Sequence, residues 1–221
     1  MKCDLFQVYG LTETAGAITI LMPEDHDPEK GKLRSCGKAL NSVEIKVIDE
    51  EGNEVKTGEI GEVISKSPLN MKGYWNRPDA TEDAIKDGWF YSGDAGFFDD
   101  DGYLYIHDRV KDMIVSGGEN IYPAEVENAL MSHPEIADAA VIGVPDDKWG
   151  ESVKGFVVLQ PNSSLDETEI ISYTRTQIAG YKCPKTINFI EALPRNPSGK
   201  ILRRELREPF WEGKDRMVSG N

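Results

Sequence analysis

Apolar and polar side chains alternate with a period of two over Val43, Ile45 and Val47, and the turn-forming stretch Glu50-Glu51-Gly52-Asn53 follows. That is the pattern of a half-buried strand and its exit. Gly58 through Ser65 continues it, and Asp101-Gly102, set between Phe97-Phe98 and Tyr103-Leu104-Tyr105-Ile106, predicts a hairpin. The chain up to about residue 108 therefore reads as β-rich. Beyond Arg109 the period changes. Pro123 opens a segment in which Val126, Ala129 and Leu130 share one helical face, which predicts a short amphipathic helix. The runs Ala139-Ala140-Val141-Ile142-Gly143-Val144 and Gly155-Phe156-Val157-Val158-Leu159 predict buried strands. Asp166 with Glu169 predicts a capping box for a helix reaching Ala179 before Gly180. Strands and helices mixed in this way make a small α+β domain. The change falls inside the charged segment Asp108 to Asp112, and a short polar joint suits a hinge. The chain holds no internal repeat and no low-complexity tract.

Composition narrows the partners. The 221 residues carry 39 acidic against 25 basic side chains, a formal charge of -14, which repels nucleic acid and anionic lipid as a default. Charges that bind an anionic ligand must then be local. No run of eighteen or more apolar residues is present, and the start Met-Lys-Cys-Asp-Leu-Phe has no secretory pattern, so a cytoplasmic protein is expected. Cys3, Cys36 and Cys183 are widely spaced, and His26, His107 and His133 are scattered. Neither a disulfide framework nor a zinc site is expected from them.

Four stretches carry candidate chemistry. Tyr9-Gly10-Leu11-Thr12-Glu13 follows an apolar approach, Leu5-Phe6-Gln7-Val8, so a strand should end in a loop that presents a hydroxyl and a carboxylate. Those groups suit a phosphate oxygen and a magnesium ion; taken alone, a capped turn explains them as well. Tyr91-Ser92-Gly93-Asp94 offers an aspartate able to accept from a ribose diol, or one that simply serves a turn. Asp108-Arg109-Val110-Lys111-Asp112 precedes Ser116-Gly117-Gly118-Glu119-Asn120. A solvated charge cluster accounts for the cations there but not for the paired glycines. Pro194-Arg195-Asn196-Pro197-Ser198-Gly199-Lys200 should be a turn-rich loop with Lys200 at its tip, just before a helix-like Ile201 to Leu206. A compact ammonium can bridge a carboxylate and a phosphate, although a lone lysine is ordinarily just solvated.

Taken together and in this order, with Gly73-Tyr74-Trp75 between them, these stretches resemble the acyl-adenylate-forming superfamily of acyl-CoA synthetases, nonribosomal adenylation domains and beetle luciferase. The resemblance covers nearly the whole chain. Gly73 to Ala84 and Ser116 to Trp149 look most like fatty-acid or aryl-acid CoA ligases. It implies a β-rich, distorted-barrel subdomain over residues 1–110 that ends a large amino-terminal domain, then a mobile α+β carboxyl-terminal domain over 111–221. It also implies ATP or AMP, Mg2+ and coenzyme A as cofactors, and a carboxylic acid as substrate. Tyr9 and Gly10 would lie at the nucleotide, Thr12 would bind phosphate, and Glu13 would bind magnesium. Asp94 and Arg109 would hold the ribose hydroxyls. Lys111 would be the hinge residue, Gly118 would line the pantetheine tunnel, and Lys200 would be the lysine that adenylation requires.

Departures are equally informative. Asn120 stands where many relatives carry an arginine facing phosphate. The Ser/Thr/Gly-rich loop that grips pyrophosphate has no counterpart, nor has the large domain that forms the acyl pocket. The expectation is thus the carboxyl-terminal part of an acid–thiol ligase, inactive alone, with its amino-terminal domain missing. Its first residues would be the last strand of that domain, ordered poorly without it. The competing expectation is a non-catalytic nucleotide- or CoA-binding or regulatory module of the same descent. A third replaces CoA by a carrier-protein thiol or by oxygen, and the absence of a carrier domain after Lys200 weighs against a nonribosomal module.

Overall fold

A computed structural model of the protein describes residues 3–213; the outer limits expected for the two domains, residues 1 and 221, lie outside them. The chain divides into two compact units, the first ending at Val110 and the second starting at Lys111.

The first unit is almost entirely sheet. β1 (Gln7–Leu11), β2 (Gly16–Leu21) and β3 (Lys38–Ala39) form an antiparallel three-stranded sheet in that order. A five-stranded antiparallel sheet holds β4 (Glu44–Ile48), β5 (Gly61–Lys66), β6 (Ile85–Lys86), β7 (Trp89–Phe98) and β8 (Leu104–Arg109), with the short helix α1 (Pro78–Ala84) leading into β6. β5 runs along one side of β7, and β6 and then β8 along the other. Cys36-Gly37 stitches the two sheets together: the Cys36 amide donates to the Leu104 carbonyl at 2.6 Å, and the Leu104 amide to Gly37 at 2.9 Å. Gly37 has φ 84°, and a Cβ there would lie 2.0 Å from the Ile20 backbone, so only glycine fits. Val47, Val63 and Leu104 form the core, with Tyr9, Ile45, Val55, Phe98 and Ile106 packed on it.

The predicted strands are present with adjusted ends. The one read from Gly58 starts at Gly61, because Gly58 sits in a turn at φ 84° and gives its amide to Phe98. The β7–β8 hairpin loop is longer than Asp101-Gly102. The Asp99 carboxylate collects the amides of Asp101 and Tyr103, and the Gly102 amide closes on the Asp99 carbonyl.

The second unit is α+β, as the alternation predicts. β9 (Ile114–Ser116), β10 (Glu119–Ile121), β11 (Ile136–Asp146), β12 (Gly150–Leu159) and β13 (Thr186–Phe189) form one sheet, with only β13 parallel to its neighbour β12. The unbroken apolar run of β11 has a simple cause. Ala139 and Val141 face a cluster with Val126 and Leu130 of helix α2 (Pro123–Met131) and Ile170 of α3 (Glu167–Gln177). Ala140 and Ile142 face the opposite cluster, against Leu206 and Phe210 of α4 (Arg203–Trp211). A strand covered on both sides cannot alternate with polar residues.

Three expectations need correction here. α3 ends at Gln177, not Ala179, because Ile178 turns extended at φ -136° while its amide caps Thr174. The second helix-like segment begins at Arg203 rather than Ile201, since Ile201 bridges back to Arg195 across the loop. Lys200 is therefore at the base of that loop and not at its tip, with its carbonyl accepting the Asn196 amide at 2.9 Å. α4 is moored by ion pairs: Arg203 meets Glu127 at 2.7 Å, and Arg207 meets the buried Asp112 at 2.9 Å.

The capping box of α3 is fully formed, with the Glu169 amide on Asp166 at 2.9 Å and the Asp166 amide on Glu169 at 3.0 Å. Asp166→Ala is expected to lower stability by about 1 kcal/mol, read as an earlier urea midpoint with an unchanged slope. An unshifted midpoint would remove this cap from the account of stability.

Candidate functional site

The Ser92-Gly93-Asp94 stretch lies in a bulge of β7. Glu62 of β5 pairs with Ala95 and Ile64 with Tyr91, so three residues of β7 stand opposite the single Val63. Side chains replace ladder bonds that this bulge interrupts, as a buried irregularity requires. The Ser92 hydroxyl donates to the Val63 carbonyl at 2.6 Å and accepts the Asp94 amide at 3.0 Å. The Gly93 amide donates to Glu62 Oε1 at 3.0 Å, and Gly93 itself takes φ 68°, where glycine is strongly favoured.

Asp94 is 6% exposed. A buried carboxylate needs compensation, and it has a hydrogen bond and an ion pair. Tyr9 gives its phenol to Oδ2 at 2.6 Å, and Arg109, directly opposite Asp94 in the β7–β8 register, meets Oδ1 with Nε at 2.8 Å. Burial, and then the negative charge of Asp94, push the Tyr9 phenol far above its usual range, so it remains a donor. Burial, opposed by the Gly93 amide and aided by Asp94, also raises Glu62. Three predicted residues, Tyr9, Asp94 and Arg109, are thus brought together.

Thr12 and Glu13 occupy a single turn after β1. Local capping falls to Thr14, whose hydroxyl accepts the Leu11 amide at 2.9 Å, and Thr12 is left exposed. Glu13 Oε1 accepts the Tyr74 phenol at 2.8 Å, while the Glu13 carbonyl accepts the Met71 amide at 2.7 Å. Burial first, and the Glu13 carboxylate next, raise the Tyr74 phenol. Gly10 has a packing explanation: a Cβ there would lie 1.9 Å from the Gly16 carbonyl oxygen, which β1 and β2 could not accommodate. Among the described residues no group of three or more His, Cys, Asp or Glu side chains could hold a metal ion. A lone carboxylate such as that of Glu13 could hold magnesium only with phosphates and water completing the shell.

In the second unit, Lys111 lies in the single turn Val110–Asp112. Gly117 and Gly118 form the two-residue loop between β9 and β10, with φ 63° and 85°. Positive φ at both positions is what a type I′ hairpin turn requires, so the paired glycines have a structural cause. Gly117 is also pressed on Trp149, whose Cε3 would lie 2.7 Å from an added Cβ, whereas nothing lies within 4 Å of one at Gly118. Around Lys200 the Asn196 side chain accepts the Lys200 amide at 2.9 Å and the Ser198 amide at 3.1 Å. Arg195 donates to the Gly199 carbonyl at 2.7 Å and pairs with Asp138 at 2.6 Å.

Glu62, Tyr74, Trp149 and Arg195 were not assigned roles from sequence. Tyr74 carries a signal in its Gly-Tyr-Trp motif, and Arg195 and Trp149 lie in stretches already singled out; Glu62 owes its place to pairing across strands alone. No helix among the described residues is long and apolar enough to cross a membrane.

Sequence profiles match in two places, that of the AMP-binding enzymes over residues 1–75 and that of the AMP-binding enzyme C-terminal domain over residues 125–200. The fatty acid–[acyl-carrier-protein] ligase of Streptomyces coeruleorubidus is 45% identical, over 99% of this chain and 42% of its own length. The long-chain-fatty-acid–CoA ligase of Mycobacterium tuberculosis is 48% identical, over 94% of this chain and 40% of its own length. The chain therefore spans about two-fifths of these relatives, 42% and 40%. The structure of o-succinylbenzoate CoA synthetase from Bacillus subtilis in complex with its acyl-adenylate intermediate superposes with a TM-score of 0.83 at 43% identity, covering 92% of this chain and 41% of that one.

The two glycines of the β9–β10 loop should respond differently to alanine. Gly118→Ala, which meets only backbone strain, is expected to cost about 1 kcal/mol. Gly117→Ala adds the encounter with Trp149 and should cost about 2 kcal/mol or more, with altered Trp149 fluorescence. Equal losses in urea unfolding would contradict the assigned packing.

Proposed function

The chain belongs to the AMP-binding enzyme family, and from that premise we propose that it carries the ribose-holding and lysine-bearing parts of an ATP-dependent acid–thiol ligase. The observation that supports this most is the buried Asp94 carboxylate, fixed between Tyr9 and Arg109 with lone pairs left on both oxygens. In this reading the first unit holds the nucleotide. Asp94 accepts the ribose hydroxyls and Arg109 stands beside them. The exposed Thr12 hydroxyl meets phosphate, and Glu13 holds magnesium, which when bound offsets the charge of the pyrophosphate. Lys200 brings its ammonium between the substrate carboxylate and the α-phosphate, reducing the repulsion between two anions as they approach. Lys111 is the pivot about which the second unit changes pose, after which the loop bearing Gly118 receives the pantetheine arm. The units so assigned are residues 1–110 and 111–221.

Fatty-acid–CoA ligation in the cytoplasm is the finer reading. The two fatty-acid ligases among the relatives support a fatty acyl substrate, although an o-succinylbenzoate enzyme is about as similar. A carrier-protein thiol is the alternative acceptor, favoured by the relative that covers 99% of this chain.

In the protein as it occurs in its cell, Lys200→Ala is expected to lower acyl-adenylate formation by about 100-fold or more and to leave thioester formation from supplied acyl-adenylate largely intact. Rapid-quench measurement of the two half-reactions checks this; equal loss of both would sink the role given to Lys200. Supplying coenzyme A and a phosphopantetheinylated carrier protein in turn decides between the acceptors.

A further inference from the structure

We propose that Tyr9 and Glu62 are positioning residues that hold Asp94 for a vicinal diol, and that they set how strongly the site prefers ribose to deoxyribose. The inference rests on the reading of Asp94 as the ribose acceptor and assigns the groups that make it selective.

Asp94 Oδ2 accepts the Tyr9 phenol at 2.6 Å, and Oδ1 is ion-paired with Arg109 Nε at 2.8 Å. A carboxylate oxygen has two lone pairs, so each oxygen keeps room for one of two neighbouring hydroxyls. The directed bond from Tyr9, with the charge of Arg109 at the other oxygen, also fixes the carboxylate plane, which otherwise turns within a broad well. Selectivity for a diol depends on that plane, because two hydroxyls on adjacent carbons can only be met together by two oxygens in a set orientation. Arg109 is 45% exposed at its side chain and can move with solvent. Tyr9 has its ring in the core against Val47, Val63 and Leu104 and is the rigid member of the pair.

Glu62 acts one residue further away. It accepts the Gly93 amide at 3.0 Å, at the point where the bulge takes φ 68° and turns toward Asp94. The neighbouring strand offers Gly93 no carbonyl in the ladder, since the pairing passes from Glu62 to Ile64. Glu62 thus replaces a missing sheet bond in the bulge from which Asp94 projects.

The test titrates the 221-residue chain with AMP and with 2′-deoxy-AMP, followed by NMR. Wild-type protein is expected to bind AMP about tenfold more tightly than the deoxy analogue, the discrimination lost when a buried acceptor is left without its hydroxyl. Asp94→Asn should bring the ratio near one. Tyr9→Phe, which keeps the ring, and Glu62→Ala should each reduce the ratio by about threefold or more, while Glu62→Gln, which keeps a carbonyl for the Gly93 amide, restores most of it. A structural role alone would weaken both nucleotides equally and leave the ratio unchanged. If Asp94→Asn removes the preference but Tyr9→Phe and Glu62→Ala leave it intact, the positioning roles are wrong and the ribose reading stands. If the wild type shows no preference, or binds neither nucleotide, the ribose reading fails and the inference falls with it. Should Glu62→Ala not melt cooperatively, Tyr9→Phe decides.

Discussion

A carboxylate withdrawn from water inside a β-sheet is the constraint on which the first unit turns. Asp94 sits where solvation is poor, and a carboxyl group persists there only when protein partners replace the lost water. Tyr9 comes from the three-stranded sheet and Arg109 from the other, so satisfying Asp94 requires both sheets to be in place. The Cys36-Gly37 stitch holds them there through Leu104, itself at the centre of the core beneath Tyr9. Core packing and site geometry in this unit are one arrangement seen from two sides.

The second unit solves a different problem. Its sheet is covered on both faces, so its stability comes from apolar layers. Its charged groups secure the elements that carry chemistry: Arg203 and Arg207 moor α4 to Glu127 and to Asp112, beside Lys111. The Lys200 loop is tied by Arg195 to Asp138 at the edge of β11. Backbone anchoring of this kind leaves the lysine side chain exposed while its main chain is held.

Much of this was legible in the chain. Period-two alternation located β4, the paired apolar runs located β11 and β12, and Asp166 with Glu169 located the start of α3, because each depends on neighbours in sequence. The order of motifs carried the family, and Asp94, Arg109 and Tyr9 do converge. Relations that depend on register were not legible. That Glu62 faces Gly93 follows from a bulge that no local pattern announces, and that Ile201 pairs with Arg195, displacing Lys200 from the tip, follows from loop closure. The doubled glycine stands out in the sequence but its cause does not, since a turn with positive φ at both positions and a tunnel-lining glycine look the same in one sequence.

β1 is an edge strand. Among the described residues it pairs only with β2, so its outer backbone groups are open, and Leu5, Phe6 and Val8 are exposed along and just before it. An open apolar edge is a template on which another strand can be laid. The same strand carries Tyr9, whose phenol fixes Asp94. A strand laid at that edge would bear on the residue that orients the diol acceptor, and whatever bound there would by linkage alter the sugar preference in the same measure.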